Sequence, residues 1–199
     1  ATMSTSPFMV YQGQELGENA AGAMGFSGDD GRTSIFDYCS IPTLVRWYNN
    51  GNCGIQKLNN KERKIRAFYK KVLRLCNGEK AISEGAFFDL MYVNYHNLNP
   101  NKQYLYLRHY ENETLLIAVN FDSQDATVYA DIPQHAFDFL KIDSGTYFMK
   151  ELISGKQKTV EFSSNAKFEL HIPAHNGVVW KIVKLTQIFH LKKLMYLNY

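Results

Sequence analysis

Residues 104–121 read YLYLRHYENETLLIAVNF, and this stretch decides the fold that the sequence predicts. Over 104–110 every second residue is tyrosine or arginine and the residues between are leucine or histidine, which is the two-residue period of a half-buried β-strand. Residues 111–113 read Glu-Asn-Glu and form a turn, and 114–121 return as a more continuously apolar strand. The stretch therefore predicts an antiparallel hairpin whose second strand is buried.

Segments of the same kind recur on both sides of this hairpin, after Gly78. We predict strands near residues 86–95, 103–111, 114–121, 126–131, 136–142, 147–152, 158–163, 167–172 and 177–183. Pro133 and Pro173 fall at strand ends, where a missing N–H group does little harm. Short alternating strands separated by turns predict an antiparallel sandwich, and roughly 100 residues are enough to bury an independent core.

The chain before Gly78 has a different character. Residues 8–11, Phe-Met-Val-Tyr, lie between Pro7 and Gly13 and predict a strand buried on both faces, of the kind found in parallel sheets. Residues 17–54 form a long loop rich in Gly, Asn, Asp and Ala, with a short helix expected over 41–48. Loops of this length inside a compact domain are usually functional or disordered.

A single strong helix is predicted from Asn60 to Cys76. Asn59 is its expected N-cap, and Glu62, three residues further on, completes a capping box. Apolar residues at helical spacing form one stripe, which consists of Ile65, Phe68, Tyr69, Val72, Leu73 and Cys76. The basic residues lie largely off this stripe, where a solvated face is expected.

Composition excludes several classes of protein. With 199 residues, 45% hydrophobic and 21% charged, the chain is neither disordered, collagen-like nor a coiled coil. No apolar run is long enough to span a membrane, and a net charge of +3 gives no indication of nucleic-acid binding. The three cysteines and six histidines show no zinc-binding spacing, so no metal site is predicted.

Five segments together resemble glycoside hydrolase family 13, the α-amylase family. Pro7 to Glu15 resembles its eighth barrel strand, and Gly28 to Tyr38 resembles the loop that follows in one amylase-like subgroup. Lys61 to Leu75 looks like the last barrel helix. Tyr104 to Phe121 is similar to the C-terminal sandwich, called domain C, and Gly177 to Ile182 resembles its closing strand.

The resemblance implies a mainly β fold with two parts. Residues 1–78 would be a remnant of the catalytic (β/α)8 barrel, made of one strand, a long loop and one helix. Residues 79–184 would be an antiparallel Greek-key β-sandwich of the domain C type, and 185–199 would be an unassigned tail.

The same resemblance implies the function. Family members hydrolyse α-glucans such as starch and maltooligosaccharides with retention, which needs two carboxyl groups about 5 Å apart. In the family these groups precede the eighth strand, so the chain is expected to be a non-catalytic C-terminal fragment whose sandwich stabilises the barrel. Its partners would be the upstream barrel and, in the parent enzyme, an α-glucan. No cofactor is expected, and any calcium site would lie upstream.

Acidic residues in the long loop are candidates for substrate contact in the parent enzyme. Asp29, Asp30 and Arg32 would lie at the active-site face, because loops that follow barrel strands form that face. The alternative is that Asp29 and Asp30 form a turn and that Arg32 is a structural ion-pair partner.

The predicted strand at the beginning of the chain has two further consequences. Tyr11, Gly13 and Glu15 are expected to be structural residues at its end. With the barrel absent, residues 7–12 and the apolar stripe of the 60–76 helix would be exposed, which predicts a homodimer or a swapped assembly formed through these two surfaces. The alternative is that the helix folds back on the sandwich and that only the first dozen residues are mobile.

An alternative function is a carbohydrate-binding sandwich that contacts starch through exposed aromatic rings. Tyr92, Tyr104 and Tyr106 are the candidates for stacking on the apolar face of a sugar. Two or three coplanar exposed rings on one face would favour this function, and scattered rings would favour tyrosines that merely suit half-buried strands.

Overall fold

A computed structural model describes residues 2–18, 41–164 and 166–185. The chain divides into two compact units, one comprising Ala1–Thr2 with Ser6–Arg74 and the other Met3–Thr5 with Leu75–Tyr199. Asp29, Asp30 and Arg32 lie outside the described residues, as does nearly all of the predicted tail. No helix in the described ranges combines the length and the apolar character that crossing a bilayer requires.

The first unit is helical where it is described. It contains a 3-10 turn at Gln14–Leu16, helix α1 at Pro42–Tyr48 and a second 3-10 turn at Asn49–Gly51. Helix α2, Asn60–Gly78, begins in this unit and ends in the second one. Both helices predicted from the sequence are therefore confirmed, with α2 two residues longer than expected.

The capping box at the start of α2 is confirmed. The backbone N–H of Glu62 donates to Asn59 Oδ1 at 3.0 Å, and the backbone N–H of Asn59 donates to Glu62 Oε2 at 2.9 Å. The Asn59 side-chain amide donates a third bond to Glu62 Oε1 at 2.8 Å. These bonds satisfy backbone donors that a helix N-terminus otherwise leaves without partners.

The strand predicted over residues 8–11 is wrong. No strand of the described residues includes this segment, and the side chains of Phe8 and Met9 are 37% and 80% exposed. An extended apolar segment becomes a strand only when a neighbouring backbone pairs with its N–H and C=O groups. The local sequence signals the extended conformation, but it does not supply the neighbour.

The second unit holds eight strands and three short helices among its described residues. The helices are α3 at Lys80–Ser83, α4 at Met91–Asn94 and α5 at Gln134–Leu140. The strands are β1 Ala86–Asp89, β2 Gln103–Tyr110, β3 Glu113–Asn120, β4 Ala126–Asp131, β5 Gly145–Glu151, β6 Gln157–Phe162, β7 Lys167–Ile172 and β8 Asn176–Lys184.

These strands form two antiparallel sheets, which confirms the predicted antiparallel sandwich. Six strands pair in the order β1-β2-β3-β8-β5-β6, and β4 pairs with β7. The hairpin predicted from residues 104–121 is formed by β2 and β3, with Leu107 opposite Leu116 and Tyr110 opposite Glu113. Its second strand is central in the larger sheet, because β8 pairs with its other edge.

Two predicted strands need correction. Residues 136–142 fall on α5, where Ala136, Phe137 and Leu140 are all buried. Their spacing places them on one face of a helix, and Pro133 precedes the first turn. Burial of this face therefore decides for a helix, although the apolar residues also suit a strand. The strand predicted over 86–95 ends at Asp89 and gives way to α4.

The core lies between the two sheets and is closed by α5. Phe162 is fully buried at its centre, with ring centroids 5.1 Å from Phe137, 5.3 Å from Tyr147 and 5.1 Å from Phe168. The opposite face of the larger sheet is also covered at its middle. There the buried side chains are Tyr106, Leu115, Ile117 and Val179, which alternate with core residues along their strands.

A half-buried ion cluster joins the start of α3 to the larger sheet. Lys181 Nζ lies 2.6 Å from Glu79 Oε2 and 2.9 Å from Glu113 Oε2, and Glu113 also accepts the Ala81 N–H. Burial by itself lowers the pKa of Lys181, but hydrogen bonds to the two carboxylates outweigh it and leave that pKa raised. Each charge in this cluster therefore has a partner.

Candidate functional site

A cleft of about 360 Å³ opens where β6 and β8 of the larger sheet face β7 of the smaller one. Its walls come from the turn after β5, from β6, from β7 and from the first half of β8. The lining residues are Glu151, Ile153, Ser154, Lys156, Lys158, Glu169, His171, Pro173, Asn176, Gly177, Val178 and Trp180.

Trp180 forms the apolar wall of the cleft. It shares one face of β8 with Val178 and Ile182, both of which belong to the buried core. The indole packs against that core and remains half-buried, because it also lines the cleft. Strand alternation therefore fixes the direction of this ring, and core packing holds it.

Lys158 covers the ring from the side of β6. Its ammonium lies 4.8 Å from the centroid of the Trp180 ring, within the range of a cation–π contact, and donates to the backbone carbonyl of Glu169 at 3.3 Å. Burial lowers the pKa of Lys158, and the negative charge of Glu169 partly offsets this effect. Lys158 is thus a partly desolvated donor at the mouth of the cleft.

Glu151 forms the floor and is 2% exposed. Its carboxylate accepts the backbone N–H groups of Val179 and Ile153 at 3.0 Å each, and that of Ser154. Burial alone raises the pKa of Glu151, but these hydrogen bonds outweigh it and leave the pKa below its ordinary value. This carboxylate is ionised and fully engaged, so its role is to hold the turn that shapes the cleft.

The rim supplies both hydrogen-bond donors and acceptors. The Asn176 side-chain oxygen accepts the Gly177 N–H at 2.8 Å, which leaves its amide group to face other partners. His171 Nε2 lies 3.5 Å from Asp125 Oδ2, and the side chains of both residues are exposed. Such a mixture suits ligands that carry hydroxyl groups, since each hydroxyl donates and accepts.

The first unit contains a second cavity, of about 290 Å³, which the structure uses internally. Thr43 Oγ1 donates to Glu18 Oε2 at 2.7 Å, and Arg46 forms an ion pair with Glu62, the capping residue of α2. The bond to Arg46 lowers the pKa of Glu62 despite the opposing effect of burial. The Arg46–Glu62 ion pair and the Thr43–Glu18 hydrogen bond line this cavity, so we interpret it as a structural junction.

The structure places Tyr11, Gly13 and Glu15 at the 3-10 turn. Tyr11 accepts the Gln14 N–H through its carbonyl at 3.0 Å, and Glu15 lies half-buried within the turn. Gly13 has φ +83°, a left-handed conformation that L side chains rarely adopt, and an added Cβ would lie 3.1 Å from Glu18 Cβ. These residues therefore shape a turn instead of ending a strand.

The three candidate stacking tyrosines do not form a platform. Tyr106 is 4% exposed and lies between Phe87 and Tyr104, with ring planes tilted by 31° and 41° to it, so it has no free face. Tyr92 is exposed but packs near Phe88 on a different element, with a tilt of 55°. The structure does not bring these rings together on one plane.

Trp180 is the residue that sequence reasoning missed. The sequence predicts the closing strand, but the position of its tryptophan beside the cleft depends on β6 and β7, which no local pattern on β8 specifies. The available signal was the alternation of Val178, Trp180 and Ile182, which places a very large ring among smaller core residues. Within the described residues, no group of three His, Cys, Asp or Glu side chains is placed to hold a metal ion.

Comparison with known proteins identifies the fold. No protein-family model matches the sequence, and no curated protein is significantly similar to it. Among solved structures, AmyP in complex with maltose gives a TM-score of 0.56 at 15% identity, over 90% of this chain and 32% of AmyP. A variant of AmyP in complex with maltotriose gives 0.57 at 14% identity, over 92% and 33%.

An Anoxybacillus α-amylase is also similar, at 19% identity over 61% of this chain and 23% of that one. Its TM-score of 0.44 is too low to support an argument by itself. The chain spans about a third of the length of the AmyP structures that it matches. The resemblance to the α-amylase-like hydrolases that the sequence suggested is confirmed at the level of the fold.

Proposed function

We propose that this chain is the non-catalytic C-terminal part of an α-amylase-like glycoside hydrolase that acts on α-glucans, and that its sandwich stabilises the catalytic barrel. The observation that carries the proposal is the match of at least 90% of the chain to about a third of AmyP, a protein solved with maltose and with maltotriose. A part of such an enzyme that only supports the barrel would match the fold of the whole enzyme over part of its length, as this chain does.

The carboxylates of the second unit support a non-catalytic role. A retaining glycosidase needs two carboxyl groups about 5 to 5.5 Å apart on either side of the scissile bond. Glu79 and Glu113 do approach one another, but both bind the ammonium of Lys181 and their side chains are only 15% and 19% exposed. Glu151 is held by three backbone N–H groups. These acids are committed to structure.

The supporting role is argued from the middle of the larger sheet, where side chains on both of its faces are buried. One face forms the core with the smaller sheet, and on the other face Leu115 and Ile117 are 0% and 2% exposed. Each such side chain stabilises the folded state by about 1.5–3 kcal/mol relative to leaving it in water. Burial of this kind gives the sandwich a stable core of its own, which is what a supporting domain requires.

Catalytic inactivity is tested with the purified 199-residue chain on soluble starch and maltoheptaose, by measuring the release of reducing ends. We expect no release above the buffer control, with an active α-amylase as the positive control. Turnover that disappears in the Glu79→Gln or Glu113→Gln variant would place a catalytic pair in this chain and overturn the proposal.

The supporting role is tested in the longer protein that carries both barrel and sandwich. The variant Ile117→Ala should cost the sandwich about 2–5 kcal/mol and lower the temperature at which activity on starch is lost, with KM unchanged. The control is Thr159→Ala, on an exposed position of β6. If Ile117→Ala left the thermal inactivation of the enzyme unchanged, the sandwich would not stabilise the barrel.

A further inference from the structure

We propose that the cleft around Trp180 binds a short neutral oligosaccharide of the α-glucan class, with one or two glucose rings inside it. This inference rests on the proposed function for the identity of the sugar. The site itself is argued from its size, its aromatic wall, its hydrogen-bonding groups and its balance of charge.

The size of the cleft fits a small ligand. Its volume of about 360 Å³ lies near the lower end of the range of about 300–1,000 Å³ that is typical of small-molecule sites. It is bounded by two sheets and by the turn that Glu151 holds, so it would enclose a ring instead of letting a long chain lie across a flat surface.

The aromatic wall of the cleft is preorganised for binding. Trp180 is the large ring of the cleft, and its packing against the core restricts it to one orientation. Binding therefore costs little conformational entropy in the ring. The apolar C–H face of a pyranose complements an indole face, which is the contact that the exposed tyrosines do not provide.

The hydrogen-bonding groups suit hydroxyls. The Lys158 ammonium has three donors, and the described contact with the Glu169 carbonyl, at 3.3 Å, is a long one. Asn176 and Ser154 add an amide and a hydroxyl to the lining of the same cleft. A sugar ring bound there finds both hydrogen-bond donors and acceptors.

The charges favour a neutral ligand over an ion. Lys156 and Lys158 line the cleft together with Glu151 and Glu169, so the lining holds two positive and two negative side chains. An anion would be attracted by the lysines and repelled by the carboxylates, and a cation would be repelled by the lysines and attracted by the carboxylates. A polyhydroxylated ring forms hydrogen bonds to both signs of charge without a net Coulombic cost.

Binding must displace the ammonium of Lys158 from the ring. That ammonium lies 4.8 Å from the centroid of the Trp180 ring, where a sugar would stack. A partly desolvated amine with one long hydrogen bond can move to a sugar hydroxyl at small cost, since it exchanges one weak polar contact for another. The movement changes the surroundings of the indole and gives the site a spectroscopic signature.

The experiment uses the full chain with the substitution Trp47→Phe, which leaves Trp180 as the single tryptophan, because the sequence contains two. Titration with maltotriose should change the emission of Trp180 in a saturable way. Sorbitol, a linear polyol, should leave it unchanged, and so should inorganic phosphate. In the same background Asn176→Ala should weaken maltotriose binding at least tenfold, while Tyr129→Ala, an exposed aromatic on β4, should have no effect.

Retention on amylose resin gives a second measurement. Trp180→Ala should abolish retention, and Trp180→Phe should retain part of it, with thermal unfolding of each variant checked first. If Trp180→Ala does not fold, the comparison of Asn176→Ala with Tyr129→Ala decides the question.

Three outcomes would overturn the inference. They are the absence of a saturable change with maltotriose, saturation by phosphate instead, and equal binding by the Asn176→Ala variant. Retention on amylose that depended on Tyr92 would refute the cleft and leave the proposed function standing. Turnover of starch by the chain would instead refute the proposed function, whatever the cleft binds.

Discussion

Removing the carboxylate of Glu151 should be among the most destabilising single changes in the sandwich. The variant Glu151→Ala leaves the N–H groups of Ile153, Ser154 and Val179 without their acceptor. These donors lie under the turn after β5 and at the middle of β8, where Val179 is 2% exposed. A buried donor that loses its partner still bears the full free-energy cost of desolvation, with no hydrogen bond to offset it.

The magnitude follows from the number and kind of these bonds. A hydrogen bond to a charged group contributes about 1.5–3 kcal/mol, and part of the loss is recovered where water enters at the exposed Ser154. We expect the free energy of unfolding to fall by about 3–5 kcal/mol, as for other buried charges that are cut from their partners. At about 2–4 °C per kcal/mol for a chain of this size, Tm should fall by about 6–20 °C.

The assay is urea unfolding followed by circular dichroism, with Glu151→Gln and Glu161→Ala as comparisons. The Glu151→Gln variant keeps one acceptor oxygen, so its free energy of unfolding should fall by roughly half as much as that of Glu151→Ala. Glu161 lies on the exposed face of β6, where its carboxylate accepts the Thr146 hydroxyl at 2.5 Å, and its replacement should cost no more than about 0.5 kcal/mol. A loss below about 1 kcal/mol for Glu151→Ala would refute the reasoning, because the buried N–H of Val179 and the half-buried N–H of Ile153 cannot lose their acceptor at so little cost.

The same carboxylate gives a pH dependence whose sign is fixed. The pKa of Glu151 is lower in the folded protein than in the unfolded chain, because its backbone hydrogen bonds outweigh the effect of burial. Its contribution to stability is therefore fully present above the ordinary glutamate pKa of about 4.3 and is lost as the pH falls through the lower, folded value. Glu151→Ala should remove that part of the acid dependence, so that wild-type and variant stabilities converge at low pH.

Four further predictions concern the rest of the chain. Glu62→Ala removes the capping box and the ion pair at the start of α2, and urea unfolding should show that the free energy of unfolding falls by about 2–4 kcal/mol. The exposed control Lys61→Ala should lower it by no more than about 0.5 kcal/mol. A fragment spanning 79–184 should melt cooperatively, and a broad, non-cooperative transition would contradict an independent sandwich. EDTA should leave the Tm of the chain unchanged, and a fall with release of stoichiometric metal would contradict the expected absence of a metal. Light scattering over a dilution series should show self-association that Phe68→Asp weakens, because Phe68 is 41% exposed. A monomer at every concentration would contradict this prediction.

The sequence by itself determined the elements whose signals are local. Asn59 and Glu62 start α2 because the capping bonds form between residues three apart, and no distant contact is needed. The hairpin of β2 and β3 follows from an alternating strand, a short polar turn and a more continuously apolar strand. The resemblance to the α-amylase-like fold rests on several such local segments in a fixed order.

Tertiary structure decided the features that depend on contacts with residues distant in the sequence. Phe8 and Met9 have the composition of a buried strand, yet they form none in the described structure, because a strand exists only when another backbone completes its hydrogen bonds. Residues 136–142 carry an apolar run that suits a strand or a helix, and the core selected the helix that buries Phe137. The cleft at Trp180 depends on the same cause. The direction of its ring follows from alternation along β8, but the open space beside it is bounded by β6, β7 and the turn after β5. No local pattern on β8 records where those elements lie.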